Sequence, residues 1–243
     1  MSKVVYRLRP FSENTLDEII NSYLWFSKPI GFKDDQDSNI KAYFDNCDIL
    51  RKEFKTRFGR IFIEDMFMKM RHIGICCFTS KRPTYNQRKN FPNGNNSICV
   101  EYDKVLLETF FLNNEYALAN CFMSVEYFKN PTIFVKDGEY HIITKEDKNG
   151  YLSESIKSIC YNEKALDRFM WTLFTRIDKK FKRQKESRII LAGRNITQFD
   201  DSICGYRVDI PSEAIKNIYI YENTPIDFVD KLNKYNLKHK LLK

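Results

Sequence analysis

The stretch from Ile73 to Tyr102, IGICCFTSKRPTYNQRKNFPNGNNSICVEY, decides the fold. Two short apolar runs, Ile73–Phe78 and Ser97–Tyr102, flank a long polar segment that contains Pro83, Pro92 and Gly94. Apolar runs of this length, bounded by turn residues, read as buried strands, so both are expected at the centre of a sheet. Upstream, Val4 to Leu8 alternate weakly and Pro10 stops the run, which places a first strand ending at about Arg9. A helix follows, capped by Ser12 or Asn14, with Leu16, Ile19, Ile20 and Tyr23 at helical spacing before a turn at Lys28-Pro29. The segment from Asp37 to Met70 reads as two helices broken at Gly59.

Downstream, Thr132–Val135, an Asp137-Gly138 turn and Tyr140–Ile143 form the plainest hairpin signal in the chain. From Glu163 to Phe181, the residues Leu166, Phe169, Met170, Leu173, Phe174, Ile177 and Phe181 keep helical spacing and predict one amphipathic helix. Ile189–Leu191, Tyr206–Ile210 and Ile218–Tyr221 read as strands, and Pro225–Tyr235 as a last helix. Helices mixed irregularly with mostly non-alternating strands indicate the α+β class rather than a doubly wound sheet. With no repeat and no linker, a single domain over residues 1–243 is expected.

Composition narrows the class. A chain of 243 residues, 43% hydrophobic and 15% aromatic, can bury a full core without disulfides or structural metals, which excludes disordered chains and mini-protein scaffolds. Forty Lys and Arg against 32 Asp and Glu give a net charge of +8, a balance that favours an anionic partner. The start, MSKVVYRLRPF, lacks a signal-peptide run, and no stretch has the ~18 consecutive apolar residues of a membrane span; a soluble, cytoplasmic protein with no membrane partner is expected. Seven Cys, at 47, 76, 77, 99, 121, 160 and 204, sit mostly in apolar strings without Cys-x-x-Cys spacing, so buried reduced thiols are expected and no metal site.

Two segments carry concentrated charge. Between Arg176 and Arg194 there are eight cations (176, 179, 180, 182, 183, 185, 188 and 194) against Asp178 and Glu186. Either this is a solvated helix end, or Lys180, Lys182 and Arg183 form a patch for nucleic acid beside Glu186, which stands where the chain enters a strand. In the segment from Lys81 to Asn96, Lys81, Arg82, Arg88 and Lys89 could neutralise phosphates while Tyr85 or Phe91 stacks on bases; the alternative is an ordinary surface loop. Glu101-Tyr102-Asp103-Lys104 is a weaker candidate for the acids and lysine of a metal-dependent nuclease, against the simpler reading that Asp103 caps a helix. His72, His141 and His239 are too scattered for a metal cluster, and no dinucleotide fingerprint, Walker loop or nucleophile elbow occurs.

Five segments in order, VVYRLRPFSENTLDEIINSYLWFSKPIGF, ICCFTS, ICVEYD, RQKESRIIL and DIPSEAIKNIYIYENTP, resemble the bacterial family known as domain of unknown function 2971. Lys33-Asp34-Asp35 stands where that family has Asn-Asp-Pro, and its Trp-x-His-Tyr motif is replaced by the basic loop. The same skeleton resembles ADP-ribosyltransferases that use an Arg, a Ser-Thr-Ser-like strand and a Gln-x-Glu, here Arg7 or Arg9, Phe78-Thr79-Ser80 and Gln184-Lys185-Glu186. That resemblance implies a mixed, largely antiparallel sheet packed with helices and NAD as a substrate. It implies that Arg7 or Arg9 grips the NAD phosphates, with Phe78, Thr79 and Ser80 also in the NAD site, and that Glu186 is the catalytic carboxylate with Gln184 facing the acceptor. It further implies an RNA acceptor in preference to DNA, and a toxin or phage-defence role held silent by an antitoxin. The competing readings are a non-catalytic nucleic-acid-binding module and a metal-dependent nuclease.

Overall fold

Gly74–Thr79 and Ser97–Asp103 form central strands because nearly every side chain along them is buried, which removes the alternation of a half-exposed strand. The computed structural model describes residues 3–29, 32, 68, 70–89, 91, 94–114, 121–128, 133–147, 150–191, 200–201, 204–235 and 240–242. In chain order its elements are β1 (Val4–Pro10), α1 (Glu13–Ile20), β2 (Tyr23–Ser27), β3 (Gly74–Thr79), α2 (Tyr85–Arg88), β4 (Ser97–Asp103), α3 (Lys104–Asn113) and β5 (Met123–Ser124). There follow β6 (Glu126–Phe128), β7 (Ile133–Lys136), β8 (Glu139–Asp147), β9 (Gly150–Ser155), α4 (Ile156–Tyr161), α5 (Glu163–Thr175), β10 (Arg176–Asp178) and a 3-10 turn at Lys179–Gln184. The last elements are β11 (Glu186–Leu191), β12 (Asp200–Asp201), β13 (Gly205–Asp209), a 3-10 turn at Ser212–Ala214, β14 (Ile215–Tyr219), α6 (Ile226–Lys234) and β15 (Lys240–Leu242). The class is α+β with a mixed sheet.

The described contacts gather into two compact units. The first comprises residues 1–27, 74–124 and 181–243 and holds the ten-stranded sheet, ordered β12-β13-β2-β3-β1-β4-β14-β15, with β11 on the far edge of β3 and β5 beside β11. All of its pairings are antiparallel except β14 with β15. Leu16 and Ile19 of α1, Leu107 and Phe111 of α3, and Phe228 and Leu232 of α6 join Val5, Cys76, Phe78, Val100, Tyr102 and Ile189 in the main core. Their spacing of three or four residues puts each pair on one helix face.

The second unit comprises residues 28–73 and 125–180. It contains the β7-β8-β9 meander, turning at Asp137 (φ 52°) and Gly138 (φ 79°), and the parallel pair β6-β10. A turn with two residues at positive φ matches the twist of a tight hairpin, which is why Asp-Gly marked it. The amphipathic helix is shorter than its periodicity predicts: α5 stops at Thr175, and Arg176–Asp178 instead pair with Glu126–Phe128. A strand partner some fifty residues away is invisible to a local pattern. The two helices expected between Asp37 and Met70 lie almost wholly outside the described residues.

A buried ion cluster ties α1 to β1. Glu18, 1% exposed, meets Arg7 Nη1 through Oε1 at 2.5 Å and Arg9 Nη2 through Oε2 at 2.5 Å, and Arg7 Nη2 also donates to the Trp25 carbonyl at 3.5 Å. Arg7 lies over the Phe78 ring, 5.5 Å from its centroid. Glu18→Ala leaves two desolvated guanidinium groups without their carboxylate and is expected to lower unfolding stability by about 3–5 kcal/mol in urea titrations. A change under about 1 kcal/mol would show that Glu18 does not hold them.

Candidate active site

Lys185 is one of three non-glycine residues at positive φ among the described residues (φ 47°), a left-handed bend that ends the 3-10 turn and swings the chain into β11 at Glu186. Two bonds to β3 hold this bend. Thr79 Oγ1 donates to the Gln184 carbonyl at 2.7 Å, and the Ser80 N–H donates to the Lys185 carbonyl at 3.3 Å. Arg188, fully buried two residues further along β11, donates from Nε to Glu186 Oε1 at 2.6 Å. Glu186 thus leaves the bend with its backbone pinned to β3 and one carboxylate oxygen oriented.

The strand registers extend this arrangement across the sheet. Glu186 stands opposite Thr79, Thr79 opposite Tyr6, Tyr6 opposite Glu101, and Glu101 opposite Asn217. Directly opposed residues share a face, so these five line one face of β11-β3-β1-β4-β14. The backbones of Glu186 and Glu101 are three strand spacings apart, about 14 Å.

At the far end, Glu101 accepts from the Tyr219 hydroxyl at 2.6 Å and from Asn217 Nδ2 at 3.1 Å, and its charge also acts on the Tyr6 phenol. Burial first, then Glu101, raises both phenols, Tyr219 up to about 12, so both remain protonated donors at neutral pH. The Arg82 guanidinium lies 4.4 Å from the Tyr219 ring centroid, and among the described residues it forms no salt bridge. Tyr6, Asn217 and Tyr219 escaped the reading of the sequence. The alternation Ile218-Tyr219-Ile220-Tyr221 was the available signal, since it puts two tyrosines on one strand face.

The first-strand arginines do not join this face. Arg7 opposes Val100 and Arg9 opposes Ile98, so both lie on the face opposite to Tyr6, Thr79 and Glu186. Their engagement with Glu18 corrects the expectation that either offers a free fork to phosphates beside Glu186. Phe78 is 2% exposed and packs edge-on to Tyr102 and Phe122, so it belongs to the core and not to a ligand surface. Thr79 does face Glu186, and Ser80 is exposed at the strand end. The Gln184 side chain is buried, so it does not face an acceptor in solution; its carbonyl anchors Thr79.

Of the predicted nucleic-acid contacts, Lys81, Arg82, Tyr85 and Lys89 are exposed, as are Lys182 and Arg183 on the 3-10 turn. Lys180 is exposed too but belongs to the second unit. Arg88 departs from expectation: it is 3% exposed with its guanidinium 3.5 Å from the Tyr221 ring centroid, so it is not one of the exposed surface cations. The described part of the basic segment, residues 176–191, is not a helix end, because Arg176–Asp178 and Glu186–Leu191 are strands.

The nuclease-like constellation is dispersed. Glu101 faces the polar row, Tyr102 is buried in the core on the other side, and Lys104 pairs with Glu108 at 3.3 Å. Asp103 caps α3, accepting from the Val105 and Leu106 N–H groups at 2.9 and 3.0 Å. Among the described residues no three His, Cys, Asp or Glu side chains group as for a metal. His72 is exposed, His141 Nδ1 lies 3.3 Å from Ser153 Oγ, and His239 is outside the described residues. Five described cysteines are free thiols, and burial pushes Cys76, Cys99 and Cys121 up to about 12. No described helix is long and apolar enough to cross a membrane. Among known protein families, curated proteins and solved structures, none matches the chain.

Asp103 gives a test with a defined pH sign. Burial opposes its charge, but the Leu106 and Val105 N–H groups and Lys216 at 3.1 Å outweigh burial and lower its pKa. Asp103→Ala is expected to reduce stability by about 0.5–2 kcal/mol at neutral pH. Because the folded pKa lies below the unfolded one, the ionic part of the wild-type advantage is full above about pH 4 and disappears as pH falls through the lowered value. Denaturant titrations of both proteins across that range measure it.

Proposed function

We propose that the Glu186 face of the sheet is the site of an NAD-dependent ADP-ribosyltransferase. The observation that carries this reading is the placement of Glu186 opposite Thr79, with Thr79 bonded to the Gln184 carbonyl, so that a hydroxyl strand and a carboxylate strand meet in register. In the reaction the bond between ribose C1′ and the nicotinamide nitrogen breaks, and nicotinamide leaves with the electron pair. Positive charge develops on the ribose, and a nucleophilic oxygen or nitrogen of the acceptor attacks C1′ and releases its proton. A fixed carboxylate beside that sugar lowers the barrier by electrostatic preorganisation. Glu186 holds the 2′-hydroxyl and stabilises the cation, Arg188 and the Lys185 bend aim it, and Thr79 keeps the bend closed. Gln184 is a positioning residue here.

The exposed cations Lys182, Arg183 and Lys185 stand in sequence directly before Glu186 and suit a polyanionic acceptor, which favours RNA. The resemblance in sequence to domain of unknown function 2971 and to ADP-ribosyltransferases supports the same reading, and with it a toxin or phage-defence effector restrained by an antitoxin. A second reading draws on the sequestration of Arg7 and Arg9: a non-catalytic nucleic-acid-binding module that uses Lys81, Tyr85, Lys89, Lys182 and Arg183.

Incubation of the protein with labelled NAD and cellular RNA, DNA or protein decides between them. Label is expected in the RNA fraction, at a rate that falls as salt rises. Glu186→Gln keeps an acceptor for Arg188 Nε and is expected to fold while transfer drops by roughly 10²–10³-fold. Folded protein that transfers no label and releases no nicotinamide would sink the enzyme and leave the binding module.

A further inference from the structure

The one-turn helix α2 turns a cation inward. Thr84 caps it in both directions, accepting from the Gln87 N–H and donating its own N–H to Gln87 Oε1, and Arg88 follows at the end of the turn. Its guanidinium lies 3.5 Å from the Tyr221 ring centroid and 5.3 Å from that of Tyr85, and the residue is 3% exposed. Yet Nε and Nη1 are buried with no hydrogen-bond acceptor, and among the described residues no carboxylate pairs with Arg88. The Tyr221 hydroxyl is likewise buried, beside the Cys99 thiol and without an oxygen or nitrogen partner. A desolvated guanidinium is normally saturated by acceptors; Arg9 Nε and Arg188 Nη2 are also left over, but those arginines pair with Glu18 and Glu186, whereas Arg88 has two donors and no carboxylate among the described residues and so can accommodate an anion.

Arg82 reinforces that place. It stacks on Tyr219, two residues before Tyr221 on the same strand line, and both arginines act electrostatically on Tyr221 and Cys99. Each guanidinium lies over a tyrosine ring, and an arginine held in this way retains N–H donors that suit a phosphate. Tyr85 is 60% exposed, with Lys89 Nζ 5.5 Å from its ring centroid, and offers a face on which a base can stack.

We propose that Arg88 and Arg82, seated on Tyr221 and Tyr219, form a binding subsite for the pyrophosphate of a nucleotide, with Tyr85 stacking on its base. The subsite stands on its own observations. Joined to the transferase reading, it supplies the phosphate grip that Arg7 and Arg9 do not, at the end of the polar face away from Glu186.

Calorimetric titrations of the full chain with inorganic pyrophosphate, ADP-ribose and a 5′-phosphorylated RNA oligonucleotide test it, with circular dichroism to confirm folding of each variant. Pyrophosphate and ADP-ribose are expected to bind, ADP-ribose more tightly. Arg82→Ala, an exposed position, and Arg88→Lys are each expected to weaken both by about 10- to 100-fold. Tyr85→Ala should weaken ADP-ribose alone, and Glu186→Gln should leave pyrophosphate affinity unchanged. Absence of binding, or binding indifferent to both arginine variants, overturns the subsite. Arginine-dependent binding of the oligonucleotide without binding of pyrophosphate or ADP-ribose overturns it too and assigns the arginines to nucleic acid. Binding as expected with no NAD turnover removes the transferase and leaves the subsite standing.

Discussion

A strand has two faces, and the single bridge that sets Tyr6 opposite Thr79 decides which residues can work with Glu186. Shifting β1 by one residue would bring Arg7 and Arg9 onto the face of Glu186 and push Tyr6 and Leu8 into the core. The observed register does the reverse, and the helices hold it there. Val5 is packed among α1, α3 and α6 side chains, and the same face carries Arg7 and Arg9 to Glu18. The ion cluster and the apolar core therefore enforce one register between them, and the polar row on the other side follows from it.

The two sides of β1 treat charge differently. Beneath the sheet, two guanidinium groups share one carboxylate, which suits a structural lock. On the other side, Glu101 is saturated by phenol and amide donors, while Arg82 and Arg88 rest on aromatic rings with few acceptors in reach. Arg82 and Arg88 have no carboxylate partner among the described residues, whereas Arg7 and Arg9 share Glu18. This difference separates the cations that build the fold from those able to meet something else.

Much of the frame was legible in the sequence. The apolar runs became β3 and β4, Ser12 became the cap of α1, Asp103 the cap of α3, and Asp137-Gly138 the hairpin turn, because each depends on neighbours within a few positions. The entry of Glu186 into a strand was legible for the same reason. What escaped depends on distant partners. Nothing near Arg7 announces that Glu18 faces inward, nothing near Arg176 reveals a strand at Glu126, and Arg88 looks like any cation in a polar loop. Tyr23–Ser27 was read as the end of a helix and its turn because its partner, β13, lies some 180 residues away.

The hydrogen bond from Thr79 to the Gln184 carbonyl joins residues 105 positions apart, and the Glu101 bond to Tyr219 spans 118. A chain emerging in order from the ribosome makes β1, β3 and β4 early, yet the strands that flank them, β11 and β14, arrive only in the last quarter. Until then β3 and β4 each present a bare edge, open to pairing with other chains. The polar face is consequently assembled last, from parts that have waited longest, and the interval before β11 docks is when this protein is most exposed to misassembly.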